Sequence, residues 1–320
     1  MSYTADVLRI DAAFEVNRLA GFVREQAAAL HRGGVIVGLS GGIDSAVTAA
    51  LAVNALGPEK VVGLILPEKE SNPISREFAA KHARALGIEH HVRDITATVD
   101  AVSPYAQRDA FIQSLVPEYV PGSSFNITLP TDLLEREAFS VYVLQVRLPD
   151  GQIRKKRLNM EAFRAITSFA NIKIRARMLH LYAEAERRGL VVGGTTNRTE
   201  YLLGDFCRYG DGGTDIEPLA HLYKNQVYQI ARHLGVIAEI LERTPSPDTF
   251  SLPVSDQEFF FRIPFERLDH LLYAWEHHVS VEETAAVLGL REDAVKRAFQ
   301  DFTAKHRASA HLRAMPKDLQ

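Results

Sequence analysis

Eight consecutive residues, Gly38-Leu39-Ser40-Gly41-Gly42-Ile43-Asp44-Ser45, bring together the side-chain types that handle phosphate. Two adjacent glycines leave the backbone without Cβ atoms, so its N–H groups can turn toward an anion. Ser40 and Ser45 add hydroxyl donors. Asp44 is the informative member, because a carboxylate beside a phosphate repels it unless a divalent cation lies between them. The chemistry implied is the grip of a pyrophosphate group, with Mg²⁺ held by Asp44. A glycine turn can also be mere packing; the Asp and the Ser residues in these slots favour phosphate binding. No Gly-Lys-Ser/Thr follows, so this is not a Walker-type loop.

The flanking sequence must hold that loop at the end of a strand. Val35-Ile36-Val37 before it reads as a buried strand, and Ala46 to Ala52 after it as a helix whose positive N-terminal end faces the anion. A helix over 11–32, a second strand over Val61 to Leu66, a helix from Ser75 to Leu86 and a third strand within Glu89 to Ile95 complete the pattern. Strand alternating with helix predicts a doubly wound, mainly parallel α/β sheet with right-handed crossovers. Ligands sit at the carboxyl ends of such strands, which puts 38–45 and the polar loop 67–75 on one rim. Further on, Ala106 to Leu115 and Asn171 to Arg188 read as helices and Leu190 to Gly193 as a fourth strand. Asn197 is placed to cap a helix. Residues 204–215, rich in glycine and aspartate, read as a mobile lid. Helices follow over Tyr223 to Leu234, Ser280 to Leu288 and Arg291 to Phe302, with Thr244-Pro245-Ser246-Pro247-Asp248 as a rigid turn. Residues 139–158 read as an inserted β-hairpin, turning at Pro149-Asp150-Gly151 and carrying the basic arm Arg154-Lys155-Lys156-Arg157; a solvated arm is favoured over a flap that touches phosphate. The whole of 1–320 reads as a single domain.

Composition narrows the class. With 320 residues and 46% hydrophobic content, the chain can bury a full core. A formal charge of −3 gives no general attraction to nucleic acid or to an anionic membrane. No run of about 18 apolar residues is present, and Met1 to Ala13 has no secretory h-region. A cytoplasmic protein is the expectation. The lone Cys207 excludes an internal disulfide and a multi-cysteine metal site.

The loop resembles the S-G-G-x-D-S loop of the N-type ATP pyrophosphatases, which have the adenine-nucleotide α-hydrolase-like fold. A more specific likeness runs from Asn171 to Leu234. Asn171-Ile172-Lys173-Ile174-Arg175-Ala176-Arg177-Met178 is similar to the N-I-K-A-R-x-R-M helix of the NAD synthetases. Gly194-Thr195 with Glu200 resembles their G-T-D-x-x-E segment. Tyr209 to Asp215 with Pro218-Leu219 and Lys224 resembles their K-Y-G-D-G-G-x-D…P-L…L-x-K block, and Thr244 to Asp248 their T-P-T-A-D turn. The likeness covers most of the chain and fails over roughly 115–160.

That resemblance implies an ammonia-dependent amidation. The nicotinate carboxylate of deamido-NAD attacks the α-phosphate of ATP and expels pyrophosphate; ammonia then displaces AMP. By position, Gly38, Leu39, Ser40, Gly41, Gly42, Ile43, Asp44 and Ser45 would hold ATP, with Thr195, Lys224 and Ser246. Asp44 and Glu200 would bind Mg²⁺. Arg175, Arg208, Asp215, His311 and Leu312 would contact deamido-NAD, Lys224 would act as a catalytic cation, and Asp211 would take a proton from ammonium. Partners implied are ATP, deamido-NAD, ammonia, either free or from a separate glutaminase subunit, and a second copy of the chain; nucleic acid and membrane are not implied. Three departures stand out. Arg208 replaces the usual Lys, Ser246 the usual Thr, and Thr196 the aspartate that normally follows the threonine. They leave open an amide ligase acting on another carboxylate, and a catalytically silent nucleotide-binding subunit.

Overall fold

The computed structural model describes residues 3–103, 105–136 and 141–316. Its centre is a four-stranded parallel sheet in the order β3-β2-β1-β7, formed by β1 (Val35–Gly38), β2 (Val61–Ile65), β3 (Glu89–Val92) and β7 (Val191–Gly193). Val35 pairs with Val61 on one side and with Val191 on the other. The apolar strands have no polar face because both faces are covered. Val35, Val37, Val61 and Ile65 point toward α1 (Ala12–Ala29), α2 (Ile43–Leu56) and α3 (Pro73–Ala85). Ile36, Val62, Leu64 and Val192 point the other way, toward α4 (Thr96–Val102) and α6 (Met160–Arg188). The doubly wound expectation holds.

The expected hairpin belongs to a larger unit. β4 (Ser124–Thr128), β5 (Val143–Arg147) and β6 (Ile153–Arg157) form a three-stranded antiparallel sheet, reached from the first sheet through α5 (Tyr105–Leu115). Phe125 faces Val146 and Ile127 faces Leu144; this buried face packs on Ile112 of α5 and on Ala162 and Ile166 of α6. Phe139 and Ser140, the expected start of the hairpin, lie outside the described residues. Lys155, Lys156 and Arg157 are exposed, and Arg154 meets Glu118 at 3.2 Å, as a solvated arm requires. Helix α6 starts at Met160 rather than at Asn171, with Asn159 accepting the Ala162 N–H at 2.8 Å. Its early Ile166, Thr167 and Ser168 are weak helix formers; burial of Ala162 and Ile166 overrides that preference.

A helical layer closes the molecule, made of α7 (Arg198–Leu203), α8 (Lys224–His233), α9 (Ala238–Leu241), α10 (Phe265–Glu276), α11 (Val281–Leu288), α12 (Glu292–Ala308) and α13 (Ala310–Arg313). Leu268, Leu271, Leu272, Val295 and Phe302 form its core. Among the described residues, no helix is long and apolar enough to cross a membrane.

Candidate active site

The glycine loop leaves β1 and enters α2 at the predicted rim. Gly41 has φ +76°, and a Cβ on it would come within 2.2 Å of the Ser75 carbonyl oxygen, so both conformation and space require glycine. The two serines brace the turn. Ser45 donates to Gly42 O at 3.0 Å and accepts the Ser40 N–H at 3.2 Å, while Ser40 Oγ accepts the Gly42 N–H at 3.2 Å.

Asp44, in the first turn of α2, meets two distant parts of the chain. Lys224 Nζ lies 2.5 Å from Asp44 Oδ2 and 3.2 Å from Glu200 Oε1. Asn197 completes the group: its side-chain amide donates to Asp44 Oδ1 at 2.9 Å, and its backbone N–H donates to Glu200 Oε2 at 3.2 Å. The same residue caps α7 by accepting the Glu200 N–H at 3.1 Å, the capping role read from sequence. Lys224 sits at the start of α8, anchored by its N–H to Thr199 Oγ1 at 3.1 Å, and Thr199 donates to Asp269 of α10 at 2.7 Å.

Burial sets the electrostatics. It pulls the Lys224 ammonium down, but Asp44 and Glu200 outweigh it and hold the group well above the ordinary lysine value. Glu200 is pushed well above the ordinary carboxylate range by burial, with Lys224 opposing and Asp44 adding to the rise. One ammonium cannot neutralise two carboxylates, and Asp256, raised to about 6 mainly by burial, and Asp205, raised to about 8 by burial and then by Asp256, stand nearby. The Asp44 and Glu200 pair fits Mg²⁺ in kind: its ligand atoms are oxygen, and the raised proton affinity of the carboxyls marks a site short of positive charge. Among the described residues, no group of three or more His, Cys, Asp or Glu forms an all-protein metal cage. Two carboxylates with substrate phosphates and water are the usual Mg²⁺ arrangement.

These groups line a cavity of ≈ 620 Å³. Gly38, Leu39, Ser40, Gly42, Ile43, Asp44, Ser45, Thr195, Glu200, Lys224 and Ser246 are in its wall, and so are Arg175, Arg208, Asp211, His311 and Leu312. Gly41 and Asp215 are not. Gly41 is turned onto Ser75. The Asp215 carboxylate is engaged in the fold, accepting from Tyr182 OH at 2.9 Å and from the Val192 N–H at 2.8 Å, where it secures β7.

The 204–215 segment, expected as a lid, is a compact series of turns. Gly210 N–H donates to Cys207 O at 2.8 Å, and a Cβ on Gly212 would strike the Phe206 ring at 2.4 Å. Arg175 Nε reaches Arg208 O at 3.2 Å, and Arg208 reaches Ala314 O at 2.7 Å, so α6, this segment and the C-terminal tail are joined. Asp211 accepts the Cys207 N–H at 2.7 Å and is pushed up to about 6, chiefly by burial. Burial also lifts the Cys207 thiol to about 11, which leaves it unreactive, in line with an incidental cysteine.

Sequence reading missed several polar groups here. Lys173, two residues before Arg175, is buried and ties Glu68 at 3.1 Å, Glu70 at 2.8 Å and the Thr249 carbonyl at 3.1 Å. Arg108 of α5 pairs with both Glu70 oxygens, at 2.6 and 2.7 Å. Arg177 Nε holds Leu66 O at 3.1 Å. Glu217 accepts from Thr214 OH at 2.7 Å and from the Thr196 N–H at 3.1 Å, which puts a carboxylate beside position 196. The acidic residues 68 and 70 were visible as a polar loop; their partners on α5 and α6 were not.

The chain is similar to known proteins of one family along most of its length. The family model for NAD synthase matches residues 15–118 and 140–316. An NH(3)-dependent NAD(+) synthetase of Rhizobium meliloti (strain 1021) is 40% identical over 318 residues, spanning 99% of this chain and 95% of that protein. The structure of NMN synthetase from Francisella tularensis aligns with TM-score 0.66 at 22% identity, covering 97% of this chain and 99% of that one. The NH3-dependent NAD synthetase from Campylobacter jejuni, in complex with the nitrate ion, aligns with TM-score 0.63 at 22% identity, covering 97% and 100%. At that identity the two structures speak for the fold.

Proposed function

The chain belongs to the NAD synthase family, and we propose that it is a C–N ligase that amidates deamido-NAD to NAD with ammonia, converting ATP to AMP and pyrophosphate. The observation that carries this reading is the meeting of Asp44 and Glu200 on Lys224 beside the glycine loop. A carboxylate is a poor acyl donor until it bears a good leaving group, so activation comes first. One oxygen of the nicotinate carboxylate bonds to the α-phosphorus of ATP as the bond to the β-phosphate oxygen breaks. Pyrophosphate leaves into the loop, where the backbone N–H groups, the Ser40 and Ser45 hydroxyls and the Lys224 ammonium face its charge. Thr195 and Ser246 orient the nucleotide. Arg175 and Arg208, with His311 and Leu312, hold the dinucleotide, while Asp215 braces the wall behind it. Ammonia then adds to the activated carbonyl, the adduct sheds one N–H proton to solvent, and AMP departs with the electron pair of the broken C–O bond. Asp211, with its raised affinity for protons, is suited to take the proton that ammonium must lose.

Asp44 and Glu200 would hold Mg²⁺, which when bound supplies a Lewis acid for the phosphate oxygens. The same reading extends to a cytoplasmic homodimer formed from one domain per chain. Its ammonia comes free or from a separate glutaminase subunit, consistent with the one cysteine being buried. The test is direct. Continuous turnover of ATP to AMP and pyrophosphate, with NAD, should require both deamido-NAD and ammonium, while deamido-NAD alone should support at most one pyrophosphate per site; sustained release of AMP and pyrophosphate with neither present rejects the assignment.

A further inference from the structure

The glycine loop is held by a cation that its own motif does not contain, from a residue in the wall of the same cavity. Arg243 lies just before the 244–248 turn. One of its guanidinium nitrogens donates to Gly41 O at 3.1 Å and the other to Ser75 Oγ at 2.8 Å. Ser75 donates in turn to Asp248 Oδ2 at 2.8 Å, and Asp248 Oδ1 accepts the Asn72 N–H at 3.3 Å. Three segments therefore meet on one guanidinium: the phosphate loop, the start of α3, and the turn that carries Ser246. At Gly41 there is no room for a Cβ, which would meet the Ser75 carbonyl oxygen at 2.2 Å.

The peptide joining Gly41 to Gly42 is planar, so its C=O and N–H point in opposite directions. With the carbonyl fixed on Arg243, the Gly42 N–H is turned to the other side, where it meets Ser40 Oγ at 3.2 Å. Both Ser40 and Gly42 line the cavity. We propose that Arg243 is a positioning residue: it holds this peptide with its N–H aimed at the departing pyrophosphate, and it locks the loop to the turn bearing Ser246. The proposal rests on the reading that the loop binds pyrophosphate. A planar fork can serve two acceptors at once, and a single ammonium on a flexible stem cannot, so lysine is a poor substitute here.

The test compares binding of pyrophosphate and of AMP, each with Mg²⁺, to the wild type and to Arg243→Met, Arg243→Lys and Ser75→Ala by titration calorimetry. Circular dichroism checks folding, and steady-state kinetics run in parallel. AMP lacks the group that the loop grips. Arg243→Met should weaken pyrophosphate about tenfold, less than the loss of a donor that touches the anion itself. AMP affinity and the KM for deamido-NAD should stay unchanged while kcat falls. Arg243→Lys should recover part of the loss, and Ser75→Ala, which removes one anchor of the fork, should fall between. Unchanged pyrophosphate affinity in Arg243→Met, no pyrophosphate binding by the wild type, or equal weakening of AMP and pyrophosphate would each overturn the proposal. Selective loss of pyrophosphate affinity, in a protein that makes no AMP from deamido-NAD and ammonium, would instead uphold the role of Arg243 and reject the acceptor.

Discussion

Lys224 occupies the space between two carboxylates that are assigned to a metal ion, and replacing it with Met should expose that double role. The substitution removes the one cation that, among the described residues, bonds both Asp44 and Glu200, at 2.5 and 3.2 Å, from a side chain that is 3% exposed. Breaking a buried ion pair from one side costs about 3–5 kcal/mol, because the partner is left charged and unpaired. Here two partners are left, and Asn197 offers each only a neutral donor. Lys224→Met should therefore melt well below the wild type in EDTA. The vacated oxygens are those a divalent cation prefers, so Mg²⁺ should restore part of the loss; at a hundred times its dissociation constant it returns about 2.7 kcal/mol. The wild type, whose own ammonium sits between the carboxylates, should respond much less to Mg²⁺ without nucleotide. Differential scanning calorimetry with EDTA and with MgCl₂ reads both effects, and Asp44→Asn in the Lys224→Met background should abolish the response. Equal melting of Lys224→Met in EDTA and Mg²⁺ would refute the idea that this triad is a cation site held by lysine.

Asp44→Asn and Glu200→Gln should each slow acceptor-dependent pyrophosphate release by roughly a hundredfold or more while circular dichroism stays unchanged; normal release in either removes that residue from the phosphate site. Asn197→Ala should lose about 1 kcal/mol for the missing helix cap and about 1–2 kcal/mol for the bond to Asp44. Asn197→Ser retains a capping oxygen and should recover only the first part in urea unfolding, so identical midpoints for the two variants would count against the division. Acid should loosen the Glu70 network. Its carboxyl is lowered from 4.5 to about 2 by Arg108 and Lys173, acting against burial. The folded value lies below the unfolded one, so the contribution is complete above about pH 4.5 and is lost as pH falls toward 2. In Glu70→Gln the acid limb of a melting-temperature profile should flatten over that window, and an unchanged limb would place the acid sensitivity elsewhere.

The parallel sheet and the phosphate loop were legible in the sequence because their signals are local. Val35-Ile36-Val37 and Val61 to Leu66 are continuous apolar runs between punctuating glycines and prolines, and the loop lies within eight residues. Strand β4 was not legible: Ser124-Phe125-Asn126-Ile127-Thr128 is short and mixed, and it becomes a strand only by pairing with Val143–Arg147. The first third of α6 escaped for a related reason, since tertiary burial outweighs its β-branched residues. Within the site, motif residues were found and their supports were not. Asn197 was read as a cap, but its link to Asp44 spans 153 positions and leaves no pattern in sequence. Arg243 and Lys173 belong to the same class, being side chains that bind backbone or carboxylates brought together only by folding. Asp215 sits inside a recognisable block, and its bond to the Val192 N–H at the edge of β7 left no signal in sequence.

Helix α6 is a single rod of 29 residues, about 43 Å long. Its far end lies under the antiparallel sheet and its near end under the parallel one, with Arg175 and Arg177 part-way along. Arg175 is some 15 Å of rod from the anchoring Ala185, so a tilt of about 4° at that end swings the guanidinium by roughly 1 Å, a displacement that can cost a hundredfold in rate when it misplaces a reacting group. The outer sheet and the cavity wall therefore share one shaft, and Arg175, proposed to contact the dinucleotide, stands between its two anchored ends.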